Sequence, residues 1–439
     1  MSRRASTILR PLSFALGLAA GLAQGQSIDA DRFGLPIGVH PHIDSVIGDG
    51  DAKDQGLNSE IKFIGHQIKS TVKYVTAKRG FSCLGAPCNI KAFPLMYTRR
   101  YSGFWGGARI KFTNEVRSDP YLYGLDLSFQ RSDSQQYELG ASLDVPRLMM
   151  LPFQPRFKIE FSSLNTNEVR YFGQGERGQY FEKHPSLIDR TRYNLEQYQF
   201  ETLLAFRVAV IRGQTYSIYG GVHSIASNTG PFAPVGANTE LFRSRPRGYE
   251  GGVSGAWTLG IVSDSRDSEF LAREGWLLEG GISVGGRPVG NYKFNRFFIN
   301  DRRYFSYKRS TLAHRLSFDI LSGDVPFWEF KRVAGIQSVS DIASSDLMRT
   351  YFRGRFHESF KIVESLEWRY NSGRTWLFGL KPDLIFVPIA LNLGRLGDTS
   401  AWSTSAGAYL AFSKTFLAQF FMGYAPTGWN VSLLFGVNI

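Results

Sequence analysis

"YQFETLLAFRVAV" (198–210) is the stretch whose period decides the fold. Tyr198, Phe200, Leu204, Phe206, Val208 and Val210 share one parity, while Gln199, Glu201 and Arg207 share the other. Side chains alternate faces along a strand, so this segment has one oily and one polar surface. "YLYGLDLSFQ" (121–130) sets Tyr121, Tyr123, Leu125, Leu127 and Phe129 against Gly124, Asp126, Ser128 and Gln130. "WNVSLLFGVNI" (429–439) alternates in the same way, from Trp429 to Ile439. A soluble sandwich also alternates, but its strands run to about 5 or 6 residues. These runs approach or exceed the ~10 residues of a tilted membrane crossing. The expected fold class is all-β, a transmembrane antiparallel β-barrel.

The span 92–439, at roughly 20 residues per strand plus connection, holds about 16 strands. An even number keeps both ends of the chain on one side. A closed barrel leaves no unpaired sheet edge in hydrocarbon. Composition agrees: 14% of the 439 residues are aromatic, 46 are glycine, and the mean hydropathy is −0.18. The most apolar internal stretch, "LIFVPIALNLG" (384–394), contains Pro388 and is shorter than the about 20 residues a spanning helix needs.

The N-terminus sets the compartment. Arg3, Arg4 and Arg10 precede the uncharged apolar run "PLSFALGLAAGLA" (11–23), and "AQG" (23–25) supplies small residues for cleavage before Gln26. The expected organisation is a signal peptide (1–25), a periplasmic segment (26–91) and a barrel (92–439) in the bacterial outer membrane. Export removes nucleic acid as a partner despite the net charge of +13. The excess of Arg and Lys fits lumen lining and contacts with anionic lipid headgroups, lipopolysaccharide included.

Within 26–91, Leu57, Ile61, Ile64, Ile68, Val72 and Val75 lie on one helical face, which predicts a helix over 57–78. It could pack on the barrel mouth, lie on the inner leaflet or plug the lumen. "GDGDAKD" (48–54) offers Asp49 and Asp51 but puts Lys53 at a ligand position, and His40 and His42 stand without further ligands, so no metal or cofactor is expected. Cys83 and Cys88 in "CLGAPC" predict a short-loop disulfide in an oxidising compartment. Seven scattered histidines, His184, His223 and His314 among them, sit in no nucleophile motif, so an enzyme is not expected.

Two charged stretches go beyond periodicity. "DSRDSEFLAREG" (264–275) resembles the D-T-R-D-x-x-x-x-P-x-x-G signature of the bacterial surface antigen family, the barrels of the BamA and TamA superfamily. Asp264, Arg266, Asp267 and Gly275 match, and Ala272 replaces the proline. "MRTYFRGRFHE" (348–358) resembles the family's lumen-loop motif through Met348, Arg349, Tyr351, Gly354, Arg355 and Phe356, with Glu358 a close stand-in and Thr350 in a glycine position. "LEWRY" (366–370), "ALNLG" (390–394, with Asn392 in an aspartate position) and "YFGQGE" (171–176) resemble further family segments.

The resemblance implies a long loop folded back into the barrel, its Arg349 paired with groups on the inner wall. Glu367 and Asn392 are the first candidate partners, Asp264 and Asp267 the next. It also implies protein insertion or translocation, with unfolded outer-membrane proteins or a separate periplasmic protein as partners. Residues 26–91 lack the strand–helix alternation of the family's periplasmic POTRA domains. The alternative is a narrow pore or a structural surface barrel.

Overall fold

Strand β11 (Phe294–Tyr307) shows how the sequence builds the sheet. Phe297, Ile299, Phe305 and Tyr307 are exposed on one face, while Arg296, Asn300 and Arg302, on the other, are only 2%, 3% and 5% exposed. A soluble protein does the reverse, because burying unpaired charge is costly and burying apolar surface is favourable. Apolar side chains pointing out and polar ones pointing in is the pattern of a barrel bathed in lipid.

The computed structural model describes residues 81–83, 86–99, 103–114, 123–146, 155–175, 177–211, 214–269, 271–343, 347–375, 381–413, 416–426 and 428–435. The signal peptide expected over 1–25, the helix over 57–78, the metal candidates at 40–54 and Ile439 lie outside the described residues.

The chain is all-β. A three-residue strand, β1 (Phe81–Cys83), pairs with β2 (Ala86–Arg99), which starts earlier than the change of period near 92. Then follow β3 (Gly103–Thr113), β4 (Gly124–Ser132), β5 (Tyr137–Val145), β6 (Arg156–Arg170), β7 (Arg192–Ile211), β8 (Gln214–Pro231), β9 (Gly251–Asp264) and β10 (Gly275–Gly285). After β11 come β12 (Ser310–Gly323), β13 (Phe360–Arg374), β14 (Asp383–Leu396), β15 (Thr399–Ser413), β16 (Phe416–Ala425) and β17 (Gly428–Phe435). From β2 to β17 these are sixteen strands, each antiparallel to the next in sequence.

The outward face is continuous in character. Phe200, Leu204, Phe206, Val208 and Val210 on β7, Trp257, Leu259 and Ile261 on β9, and Leu366, Trp368 and Tyr370 on β13 are all exposed. Soluble monomers rarely show so large an apolar surface. Two opposite-charge pairs lie on this face: Asp301 with Arg303 at 2.9 Å, and His314 with Glu364 at 3.0 Å.

In an up-and-down sheet every second connection leaves by the same end. The long connections 171–191, 232–250 and 324–359 therefore share one end, and the β9–β10 turn (265–274) belongs to the other. The 324–359 loop does not stay at the rim. Val333, Ile342, Ala343, Leu347, Met348, Tyr351 and Phe356 form one buried cluster with Val363 on β13, Leu396 on β14, Ala401 on β15 and Ala425 on β16. The loop packs against inward-facing residues of β13 to β16.

Its root is fixed by charge as well. The short helix Phe327–Phe330 carries Glu329, fully buried, which meets His223 at 3.1 Å, Ser254 at 2.7 Å and Arg296 at 3.3 Å. Arg296 continues to Asp319 at 3.5 Å, and Asp319 to Lys361 at 2.9 Å. Such a chain of buried charges persists only where each member has an opposite neighbour.

Candidate functional site: the loop arginine and its seat

Arg349 lies at the tip of the inward loop and is 5% exposed. Its Nη1 donates to Glu367 Oε2 at 2.8 Å and its Nη2 to the Tyr409 hydroxyl at 2.7 Å. The Phe421 ring lies beneath the guanidinium, with its centroid 4.1 Å from Cζ. Strands β13, β15 and β16 each supply one of these groups. Glu367 is shared: its Oε1 also accepts from Arg369 Nε at 2.5 Å, and the Tyr409 hydroxyl donates to it at 3.0 Å. Alternation explains the placement. Trp368 and Tyr370 point outward from β13, so Glu367 and Arg369 must point in.

The residues beside Arg349 are seated on glycines of the wall. A methyl group on Gly394 of β14 would come within 2.5 Å of Met348 Cε, and one on Gly423 of β16 would meet the Thr350 methyl. Thr350 thus fits without strain: the described non-glycine residues with positive φ are Gln135, Arg245, Leu271 and Lys308, and Thr350 is not among them. The space that a loop glycine would leave free is supplied by Gly423 on the wall. The Thr350 carbonyl also accepts from Asn430 Nδ2 at 3.3 Å, and the Tyr351 hydroxyl donates to the Trp402 carbonyl at 2.9 Å.

The rest of the loop motif meets the 171–175 segment. Gly354, at φ +72°, packs against the Arg170 carbonyl where no side chain fits, and its amide donates to Asp341 Oδ2 at 2.8 Å. Arg355 lies against the Phe172 and Phe356 rings and over Gly178. Glu358 Oε1 accepts from the Gly175 amide at 2.7 Å. Two motifs nearly 200 residues apart in sequence are one contact in space. Burial pushes the Asp341 carboxyl up to about 6, against the pull of Lys331, Arg353 and the amide hydrogen bonds.

Three expected partners of Arg349 are elsewhere. Asn392 is fully buried, but its Nδ2 donates to Ser403 Oγ at 3.1 Å across the β14–β15 pair. An amide satisfies a neighbouring hydroxyl as well as a cation, and Glu367 already supplies the charge. Asp264 takes Arg266, two residues on, at 2.8 Å. Asp267 Oδ1 accepts from the Arg273 and Glu274 amides at 2.9 and 3.2 Å. Together with Gly275, at φ +91°, these contacts close the β9–β10 turn upon itself. The signature shapes a turn and does not bind the loop arginine.

That turn reaches the same place from the opposite end. Leu271 packs on the cluster of Ile385, Val387, Ala390, Tyr409 and Phe421, while Ala272 joins Tyr304 and Ala313. Glu269 pairs with Arg156 of β6, which also holds Asp144 at 2.8 Å. The cluster that holds Tyr409 and Phe421 therefore meets both the loop arginine and the turn's Leu271.

No family model matches the sequence, and no curated protein matches it. Solved structures similar in overall course include BamA from Haemophilus ducreyi lacking POTRA domains 1–3, at 12% identity and a TM-score of 0.44, over 86% of this chain and 77% of that one. CdiB from Acinetobacter baumannii is similar at 12% identity and a TM-score of 0.45, over 78% of this chain and 59% of that one. The siderophore receptor PirA from Pseudomonas aeruginosa follows at 10% identity and a TM-score of 0.24, over 77% of this chain and 72% of that one.

Tyr409 and Phe421 were not among the residues expected from the sequence. The signal was there: Tyr409 has the parity of the buried Ser403 and Ser405 on β15, opposite to the exposed Trp402. Cys88 is disulfide-bonded. The three histidines stand apart. His184 stacks on Tyr180, His223 serves Glu329, and His314 faces outward with Glu364.

Proposed function

We propose that the chain is an outer-membrane barrel of the insertion or translocation type, whose inward loop is latched by Arg349 on Glu367, Tyr409 and Phe421. The latch geometry carries the reading: a buried guanidinium on a loop tip is held by three wall strands through one carboxylate, one hydroxyl and one ring. A purely structural plug needs only apolar packing. A charged tip on glycine seats makes one arrangement much better than its neighbours, which suits an element with two discrete positions. Lipid, lipopolysaccharide and unfolded barrel proteins are the partners this role requires, and no chemical step is assigned to any side chain.

The test is the folding rate of an unfolded outer-membrane barrel into liposomes, with and without this protein. Acceleration by the wild type, lost in Arg349→Ala, supports insertion. A folded wild type that gives no acceleration moves the weight to a pore or structural barrel. The observation favouring that second reading is the double filling of the interior, by the loop from one end and the β9–β10 turn from the other.

A further inference from the structure

We infer that two copies of the chain pair side by side in the membrane, through the lipid-facing surface of β11, β12 and β13. Asp301 and Arg303 on β11, His314 on β12 and Glu364 on β13 form one charged island on that surface. Arg303 stands opposite His314 in the ladder, and Leu316 stands between Asp301 on one side and Glu364 on the other.

The island lies within the apolar band. Toward the end of the long connections, the rings of Phe297, Phe318 and Phe360 make an edge-to-face row across the same three strands. Toward the other end, Phe305, Tyr307 and Trp368 are exposed. From Phe297 to Tyr307 the outward row of β11 covers about 34 Å of strand, or about 26 Å of height at a tilt of about 40°. That is the height of the lipid-facing band of an outer-membrane barrel, and Asp301 and Arg303 are at its middle. The neighbouring β10 turns out Trp276, Leu278, Ile282 and Val284, with no charge among them.

Ionisable side chains persist in hydrocarbon where a partner answers them. Within the chain, each pair is only half covered. The Arg303 side chain is 57% exposed beside 14% for Asp301, and that of Glu364 is 50% exposed beside 25% for His314. The two open groups are therefore opposite in sign and lie on either side of β12. A lipid tail or an apolar helix answers neither of them, and a second copy answers both. Both copies enter the membrane in the same orientation, so their two-fold axis runs along the membrane normal. With that axis passing Leu316, β11 of each copy faces β13 of the other. Arg303 of each copy then meets Glu364 of the other, in a medium where opposite charges attract strongly. The pairing holds whether or not the barrel inserts clients.

Cross-linking of the full-length protein in outer membranes decides it. Leu316→Cys should oxidise to a reducible dimer, and Leu259→Cys, also lipid-facing but on β9, should not. On the Leu316→Cys background, Arg303→Glu and Glu364→Arg should each lower the dimer yield by about tenfold or more, because like charges then face each other at both contacts. Co-expressed with different tags, the two reversed copies should cross-link to one another, since both contacts again join opposite signs. Heat-modifiable migration reports that each barrel is folded. A folded Leu316→Cys barrel that stays monomeric, joins a different protein, or cross-links no better than Leu259→Cys overturns the pairing. So does a dimer yield that neither reversal lowers. Should a reversal fail to fold, Leu316→Cys, which keeps all four ionisable side chains, decides the question without it.

Discussion

At the scale of single residues, the seat of Arg349 is an uneven three-way sharing of charge. Glu367 holds both Arg349 and Arg369, so its loss removes the shared carboxylate from two buried guanidinium groups, whereas loss of Arg349 leaves Glu367 with Arg369 and Tyr409. Breaking a buried pair from one side costs about 3–5 kcal/mol. Glu367→Ala should fall at or beyond the top of that range and Arg349→Ala at or below the bottom, as read from denaturant unfolding of the two variants. Equal losses would show that Arg369 does not depend on Glu367. Asp341 adds a pH dependence. Its carboxyl is raised to about 6 in the seated loop, above the ~3.9 of an unfolded chain, so the seated state holds a proton that the released state lacks. Seating is therefore stronger below pH 4 and weakens as pH rises to 6, by at most on the order of 3 kcal/mol. Protease sensitivity of 324–359 should rise between pH 4.5 and pH 7, and Asp341→Asn should flatten that rise. Glu367 came forward as a candidate partner only through the resemblance of "LEWRY" to a family segment; the structure sets it 2.8 Å from Arg349. Asp264 and Asp267 were misassigned because like motifs do not reveal whom a carboxylate meets.

At the scale of elements, the loop and the wall fit by exchanging volume. Thr350 is larger than the glycine of the resembling motif, and Gly423 on β16 supplies the missing space. Gly423→Val should therefore expel the tip of the loop while leaving the strands paired. Proteolysis within 324–359 would rise, and the barrel would keep its heat-modifiable migration on gels. Thr350→Gly combined with Gly423→Ala should recover most of the protection lost in Gly423→Ala alone, a coupling expected of residues in contact. Purely additive effects would contradict the contact. The strands themselves were readable, because a period of two over ten or more residues has few competing explanations. The loop's inward course was readable only through resemblance. Its apolar residues from Val333 to Phe356 follow no period, since they pack as one cluster against residues of four strands.

At the scale of the whole molecule, the loop and the β9–β10 turn come from opposite ends, and both pack on the cluster that holds Tyr409 and Phe421. Deleting 333–356 should leave the β9–β10 turn in place, and shortening 266–274 should leave the loop. In planar bilayers each single variant should conduct weakly, and the combined variant should show large, steady steps. Full conductance from the loop deletion alone would mean the turn is no barrier. The strand number and the inside-out pattern followed from alternation and lipid physics. The second closure did not, because a turn that folds inward differs from one that folds outward only in its tertiary contacts.

The most direct measurement is disulfide trapping of the loop on its seat. Thr350→Cys with Gly423→Cys, introduced beside the native cysteines, should oxidise to a cross-link between loop and β16 in nearly every folded molecule in outer membranes. The cross-link would be read as a reducible shift in gel migration after cleavage of the loop. A folded barrel whose two cysteines stay apart under the same oxidant would contradict the seated, latched loop.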